Sequence, residues 1–230
     1  VGLELYGEIE PLLGFEEEAD RLYDIYIEIL KSWSPETLLD IGCGSGKFLI
    51  RAMSELPLKD SLGVDLSQEM VKRAKRAGAE AEALDICELN RRFEAATAIF
   101  DVLNYLERAE LEKFMGCVED ILEPNGLFLA DINTLYGFEE VAQGALIRES
   151  EKEVLTLESI FEDGVMSTAI NYFDLKESGC YERKSDVVTQ NFHEIETILD
   201  STSLELIQTY PISLYAEEPD KELLLFKKSG

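Results

Sequence analysis

Leu38-Leu39-Asp40-Ile41-Gly42-Cys43-Gly44-Ser45-Gly46 reads as a short apolar strand running into a glycine-rich turn, and Lys47-Phe48-Leu49-Ile50-Arg51-Ala52-Met53 continues with helical spacing. A strand, a tight glycine turn and a helix make one half of a nucleotide-binding βαβ unit. Glycine permits the sharp turn out of the strand and lets a ligand approach bare backbone. The new helix offers unpaired N–H groups and partial positive charge at its start, which suits an anionic ligand group.

Glycine spacing separates two kinds of binder. A dinucleotide loop is usually G-x-G-x-x-G, which needs glycine at position 47; here that residue is lysine, and the pattern is G-x-G-x-G. With Asp40 just ahead, the run resembles motif I of the class I S-adenosylmethionine (SAM)-dependent methyltransferases. Downstream, Ser61–Val64 is a second short strand followed by Asp65-Leu66-Ser67-Gln68-Glu69-Met70. Ser67 is a natural N-cap for a helix over Gln68–Ala77, ended by Gly78. Asp65 stands 21 positions beyond Gly44, the place of the acid that accepts hydrogen bonds from ribose hydroxyls. The D-x-S-x-x-M run strengthens the resemblance. Glu80–Leu84 is a third strand, and after it Asp85 and Ile86 match the family's adenine-amino acceptor and its apolar ring contact. Ala95–Phe100 is a fourth strand, and Asp101-Val102-Leu103-Asn104-Tyr105 matches motif IV, beside the transferable methyl. The resemblance thus implies cofactor contacts at Asp40, Gly42, Cys43, Gly44, Gly46, Asp65, Leu66, Met70, Asp85, Ile86 and Asp101. It implies SAM as methyl donor and S-adenosylhomocysteine (SAH) as product.

Working outward, a helix over Phe15–Trp33 precedes the first strand, with Leu22, Ile25, Tyr26, Ile29 and Leu30 at helical spacing. Residues 1–14 are mixed, with Pro11 and Gly14 as punctuation. A helix over Glu110–Leu122 leads to a turn at Pro124-Asn125-Gly126 and a fifth strand, Leu127–Ile132. Strands alternating with helices give a doubly wound, mostly parallel α/β sheet with helices on both faces. Residues 153–161 and 165–175 read as strands joined at Asp163-Gly164, a hairpin signal, and Tyr181–Gln190 as a further strand. Helical signal returns at Phe192–Leu199; Leu204–Tyr210 and Glu222–Lys227 complete a seven-stranded sheet, its last strand antiparallel as the resemblance implies. The expected organisation is a SAM-binding core over 1–136, an antiparallel β insertion after strand five over 137–190, and completion of the core sheet over 191–230. The insertion is expected as a lid, its face of Leu155, Leu157 and Phe161 against the core, with a homodimer interface as its alternative.

A net charge of −27, from 48 acidic against 21 basic residues, repels phosphate backbones, so nucleic acid, including transfer RNA, is not the expected substrate. The 46% hydrophobic content suits a globular core. Cys43, Cys87, Cys117 and Cys180 show no C-x-x-C spacing, so no metal site is expected. They read as free thiols in a reducing cytoplasm. No apolar run reaches a membrane span, and the acids of the first thirty residues do not suit a targeting peptide. The D-P-P-Y motif of many amino-nitrogen methyltransferases and the Pro-Cys pair of a cytosine-C5 nucleophile are absent. Candidates near the acceptor are Asn104, Tyr136 and His193, the only histidine, with a capping or structural role as the alternative for Asn104 and His193. The expected activity is methyl transfer to a small-molecule acceptor. An NAD(P)-dependent oxidoreductase and a non-catalytic SAM-binding subunit are its rivals.

Overall fold

A computed structural model describes residues 3–230, apart from the side chains of Leu3, Glu4 and Tyr6. Two helices, α1 (Leu3–Leu13) and α2 (Glu16–Trp33), precede the first strand. The core then alternates: β1 (Thr37–Ile41), α3 (Lys47–Glu55), β2 (Asp60–Asp65), α4 (Gln68–Ala77), β3 (Ala81–Ala83), β4 (Phe93–Ala98), α5 (Arg108–Ile121) and β5 (Leu122–Asn133). After an insertion come α6 (Ile195–Leu199), β10 (Glu205–Ile212) and β11 (Lys221–Lys227). The seven core strands lie in the order β3-β2-β1-β4-β5-β11-β10. β1 pairs in parallel with β2 and β4, and β4 with β5, whereas β11 runs antiparallel to both β5 and β10. Order reverses at β1, so the loops after β1 and β4 open into one crevice at the carboxyl edge.

Both faces of the sheet are covered, as alternating parity requires. Leu38, Leu127, Leu129, Leu223 and Leu225 pack with α2, α3 and α4, while Leu39, Ala96, Phe128, Ala130, Leu224 and Phe226 pack with α5 and α6. Ser67 caps α4, its hydroxyl accepting from Met70 N at 3.3 Å, and Gly78 closes the helix at φ +105°, both as the local signals require.

Residues 3–13 are helical, although Pro11 and Gly14 read as breaks. Pro11 sits in the last turn and has no N–H to give the Gly7 carbonyl; Arg73 of α4 donates to that carbonyl instead, at 2.9 Å. A tertiary contact thus supplies what the local sequence withholds. The thiol expectation is also corrected. Cys87, in a single 3-10 turn (Ile86–Glu88), and Cys117, midway along α5, form a disulfide with Cα atoms 5.0 Å apart; Cys43 and Cys180 are free. Their separation of 30 residues carries no motif, and only packing of that turn on α5 brings them together.

The segment after β5 forms a π-type turn (Gly137–Val141) and a separate antiparallel sheet, β6 (Gly144–Glu149), β7 (Glu153–Glu162), β8 (Val165–Leu175) and β9 (Tyr181–Asn191), in sequence order. β7 and β8 turn at Asp163-Gly164, both at positive φ. β6 carries no strand signal in the sequence: Gly144–Glu149 is mostly exposed and lacks a clear alternating face. Leu155, Ile170, Tyr172 and Val188 of this sheet pack on Leu5, Ile9 and Leu13 of α1, with Leu157 and Tyr105 at the margin, and Phe161 stacks on Phe138 at 5.0 Å. Ion pairs join α1 to both neighbours: Glu10 to Lys47 at 2.8 Å and Glu8 to Lys184 at 2.5 Å. Among the described residues no helix is long and apolar enough to cross a membrane.

Candidate active site

Gly42, Gly44 and Gly46 have φ of +70°, +53° and +79°, a region that costs other residues a Cβ clash. A Cβ on Gly42 would also meet Val102 Cγ2 at 3.1 Å, whereas one on Gly44 would stand in open space. That space above bare main chain is the cradle a ligand needs. The loop is braced from β2: Gly42 and Cys43 N–H both donate to the Val64 carbonyl, at 2.8 and 3.0 Å. Asp65 ties the two loops together. Its carboxylate accepts from Gly44 N–H at 2.9 Å and from Ser67 N–H at 2.8 Å, one bond to each oxygen. Each oxygen keeps a further lone-pair site, enough for two adjacent hydroxyls. Leu66 beside it is 72% exposed, an apolar side chain left in the open at the crevice. Cys43 and Met70 are buried instead, Cys43 against Gly63 and Met70 beneath Gly7 of α1. They shape the loop from behind.

Asp40 is buried at the end of β1, its Oδ1 receiving the Thr97 hydroxyl at 2.9 Å. Burial pushes its carboxyl up to about 7; the Thr97 bond opposes the shift and the charge of Asp65 adds to it. Asp85 caps the short turn after β3, taking Cys87 N–H on Oδ1 at 2.9 Å, with Lys113 Nζ 3.5 Å from Oδ2. Ile86 is buried in the core below it.

After β4 the chain makes an unusual turn. Phe100 and Asp101, neither a glycine, both take positive φ, +64° and +59°. Such conformations cost of order 1–3 kcal/mol each and persist only where surroundings impose them. Here the Asp131 carboxylate imposes them, accepting both N–H groups, at 2.8 and 3.2 Å. Asp131 also accepts the Tyr26 hydroxyl at 2.8 Å and lies 3.1 Å from Lys221 Nζ. Lys221 reaches Asn133 Oδ1 at 2.9 Å and pairs with the Asp101 carboxylate. Burial pushes the Asp131 carboxyl up and the Lys221 ammonium down, each to about 7; the bonds from the Tyr26 hydroxyl and Phe100 N–H oppose the shift at Asp131. Sequence reading missed Asp131 and Lys221. The available signal was parity: Lys221 shares its strand face with Leu223 and Leu225, so an inward lysine heading an apolar strand needed a partner.

Residues 38–126 match a family profile described as "Methyltransferase domain". A provisionally named methyltransferase of Geobacillus sp. is 25% identical over 209 residues, 83% of this chain and 84% of its own length. A SAM-dependent methyltransferase structure from Clostridium acetobutylicum superposes with a TM-score of 0.80 at 23% identity, covering 98% of this chain and all of that one. The chain carries a methyltransferase domain over residues 38–126 and shares the fold of SAM-dependent methyltransferases. A sugar N-methyltransferase structure from Streptoalloteichus sp. shares the fold at 20% identity, with a TM-score of 0.75 over 99% of this chain and 93% of that one. SAM supplies the activated methyl when bound, and the open cradle at Gly44 with the fixed Asp65 carboxylate fits such a nucleoside.

The residues proposed near the acceptor fall into two groups. Asn104 is fully buried: its Nδ2 donates to the Asn191 carbonyl at 2.8 Å, and its Oδ1 accepts Asn133 N–H at 3.0 Å. It ties the turn after β4 to the ends of β5 and β9. His193 is buried, with Nε2 3.0 Å from the Leu106 carbonyl; a carbonyl only accepts, so Nε2 carries the proton. Burial lowers its pKa. Both geometries are those of structural ties. Tyr136 is half-buried just beyond Asn133, at the carboxyl edge. Tyr23 and Tyr26 pack on Phe48 in the core, and burial raises both phenols.

Proposed function

We propose that the enzyme transfers the SAM methyl group to a small-molecule acceptor, held between the carboxyl edge of the core sheet and the four-stranded sheet. The observation that carries this reading is the Asp65 carboxylate fixed between Gly44 and Ser67 beside the open glycine cradle. In this reading Asp40, Gly42, Gly44, Gly46, Asp65, Leu66, Asp85, Ile86 and Asp101 line or brace the cofactor pocket. Asp65 holds the ribose hydroxyls, Asp85 the adenine amino group, and the glycine loop the methionine end. Cys43 and Met70 contribute shape.

Residues 137–190 act as a lid. Support comes from their packing on α1 and Tyr105 and from the tie through Asn104 and Asn191 to the turn that follows β4. The protein's part in the reaction is alignment of an acceptor lone pair with the departing sulfur, and exclusion of water. A small acceptor accords with this covered edge and with the net charge of −27. Structural neighbours named as a sugar N-methyltransferase and an amino pentose methyltransferase support it further. The test is methyl transfer from labelled SAM to a panel of amino- and hydroxy-bearing small molecules, with transfer RNA alongside. Labelled small molecules are expected. Label on transfer RNA alone overturns the acceptor class, and SAM binding without transfer to any acceptor favours a non-catalytic subunit.

A further inference from the structure

Lys221 heads β11, the antiparallel strand, and therefore lies at the carboxyl edge of the other strands, opposite Asn133. It is 1% exposed, and its ammonium meets two carboxylates, Asp101 and Asp131. Asp131 is wholly buried, while the Asp101 side chain is 16% exposed and is the member of the trio that reaches the surface. Asp101 stands between two groups of interest. Val102, the next residue, covers Gly42 of the glycine loop; Gln190 of β9 approaches the other Asp101 oxygen at 3.4 Å. The partly exposed Asp101 carboxylate is thus backed by the buried Lys221 ammonium.

SAM and SAH differ in charge at one atom. The sulfonium of SAM is a cation, whereas the thioether of SAH is neutral. A bare carboxylate near that sulfur favours SAM and a screened one discriminates less. We propose that Lys221 is a specificity-determining residue of the cofactor site: by screening Asp101 it sets the relative affinity for SAM and SAH. This rests on the reading that the methionine end of SAM lies along Gly42–Gly46. Lys221 acts through Asp101 and touches no ligand. Its consequence for turnover is direct: a site with strong charge preference gains substrate affinity and releases the neutral product readily, whereas a screened one holds SAH relatively more tightly.

The test compares affinities for SAM and SAH by calorimetry at one pH below 7, where Lys221 is a cation, with melting as the folding control. Lys221→Met together with Asp131→Asn removes the cation and its buried counter-ion, leaving Asp101 bare without an unpaired charge inside. The ratio Kd(SAH)/Kd(SAM) should rise at least threefold. Asp101→Asn, at the exposed member, should lower the ratio at least threefold and serves where the double variant fails to fold. A ratio within twofold of wild type in the folded variants overturns the inference. Failure of the wild type to bind either ligand overturns instead the SAM reading on which it rests.

Discussion

Replacing Asn104 by alanine separates a tie from a residue that acts on substrate. The amide joins two strand ends far apart in sequence, donating to the Asn191 carbonyl at 2.8 Å and accepting from Asn133 N–H at 3.0 Å, with no solvent exposure. Alanine leaves the Asn191 carbonyl and the Asn133 N–H, on half-buried residues, without their amide partner. Each such group costs about 1–3 kcal/mol, so the variant should lose about 2–6 kcal/mol, a large share of the roughly 5–15 kcal/mol that holds a typical domain. Asn104→Asp should be no milder, because it turns a carboxylate oxygen toward the Asn191 carbonyl. Urea unfolding measures the loss, and hydrogen exchange at the Asn133 amide locates it. A loss below about 1 kcal/mol with that amide still protected would refute the tie and return Asn104 to the pocket.

Asp65→Ala should weaken SAH by about 1.5–3 kcal/mol through loss of charge-assisted bonds; calorimetry showing unchanged affinity removes the ribose role. Asp40 has a raised folded pKa of about 7, so its contribution to stability is complete below the unfolded value, about 4, and is lost as pH rises toward 7. Asp40→Asn should therefore gain stability relative to wild type across that window, by up to about 4 kcal/mol at neutral pH; a pH-independent difference in urea unfolding would show that Asp40 does not titrate there. Asp85→Asn should weaken SAH while leaving the ligand-free melting temperature nearly unchanged, and a large drop would mark its cap on Cys87 N–H as the main role. Replacing residues 137–190 by a short linker should keep SAH binding and abolish methyl transfer if the shortened chain folds; retained transfer with loss of a dimer supports an interface instead.

Local chemistry determined much of this protein. Positive φ at Gly42, Gly44 and Gly46, the Ser67 cap, the Gly78 stop and the Asp163-Gly164 turn each depend on a few neighbouring residues, so residue type sufficed to place them. Alternating strands and helices then led to the order that brings the ends of β1 and β4 together. Tertiary structure decided what no local window contains. Pro11 is tolerated in α1 because Arg73, 66 residues away, takes the carbonyl it leaves free. Cys87 and Cys117 pair because a turn after β3 packs on α5. Asp131 and Lys221, separated by 90 residues, hold a left-handed turn after β4 in a place where neither residue has a sequence motif. A buried charge is legible in sequence only as an oddity of parity; its meaning comes from the partner, and adjacent antiparallel strands supply that partner only once the sheet has closed.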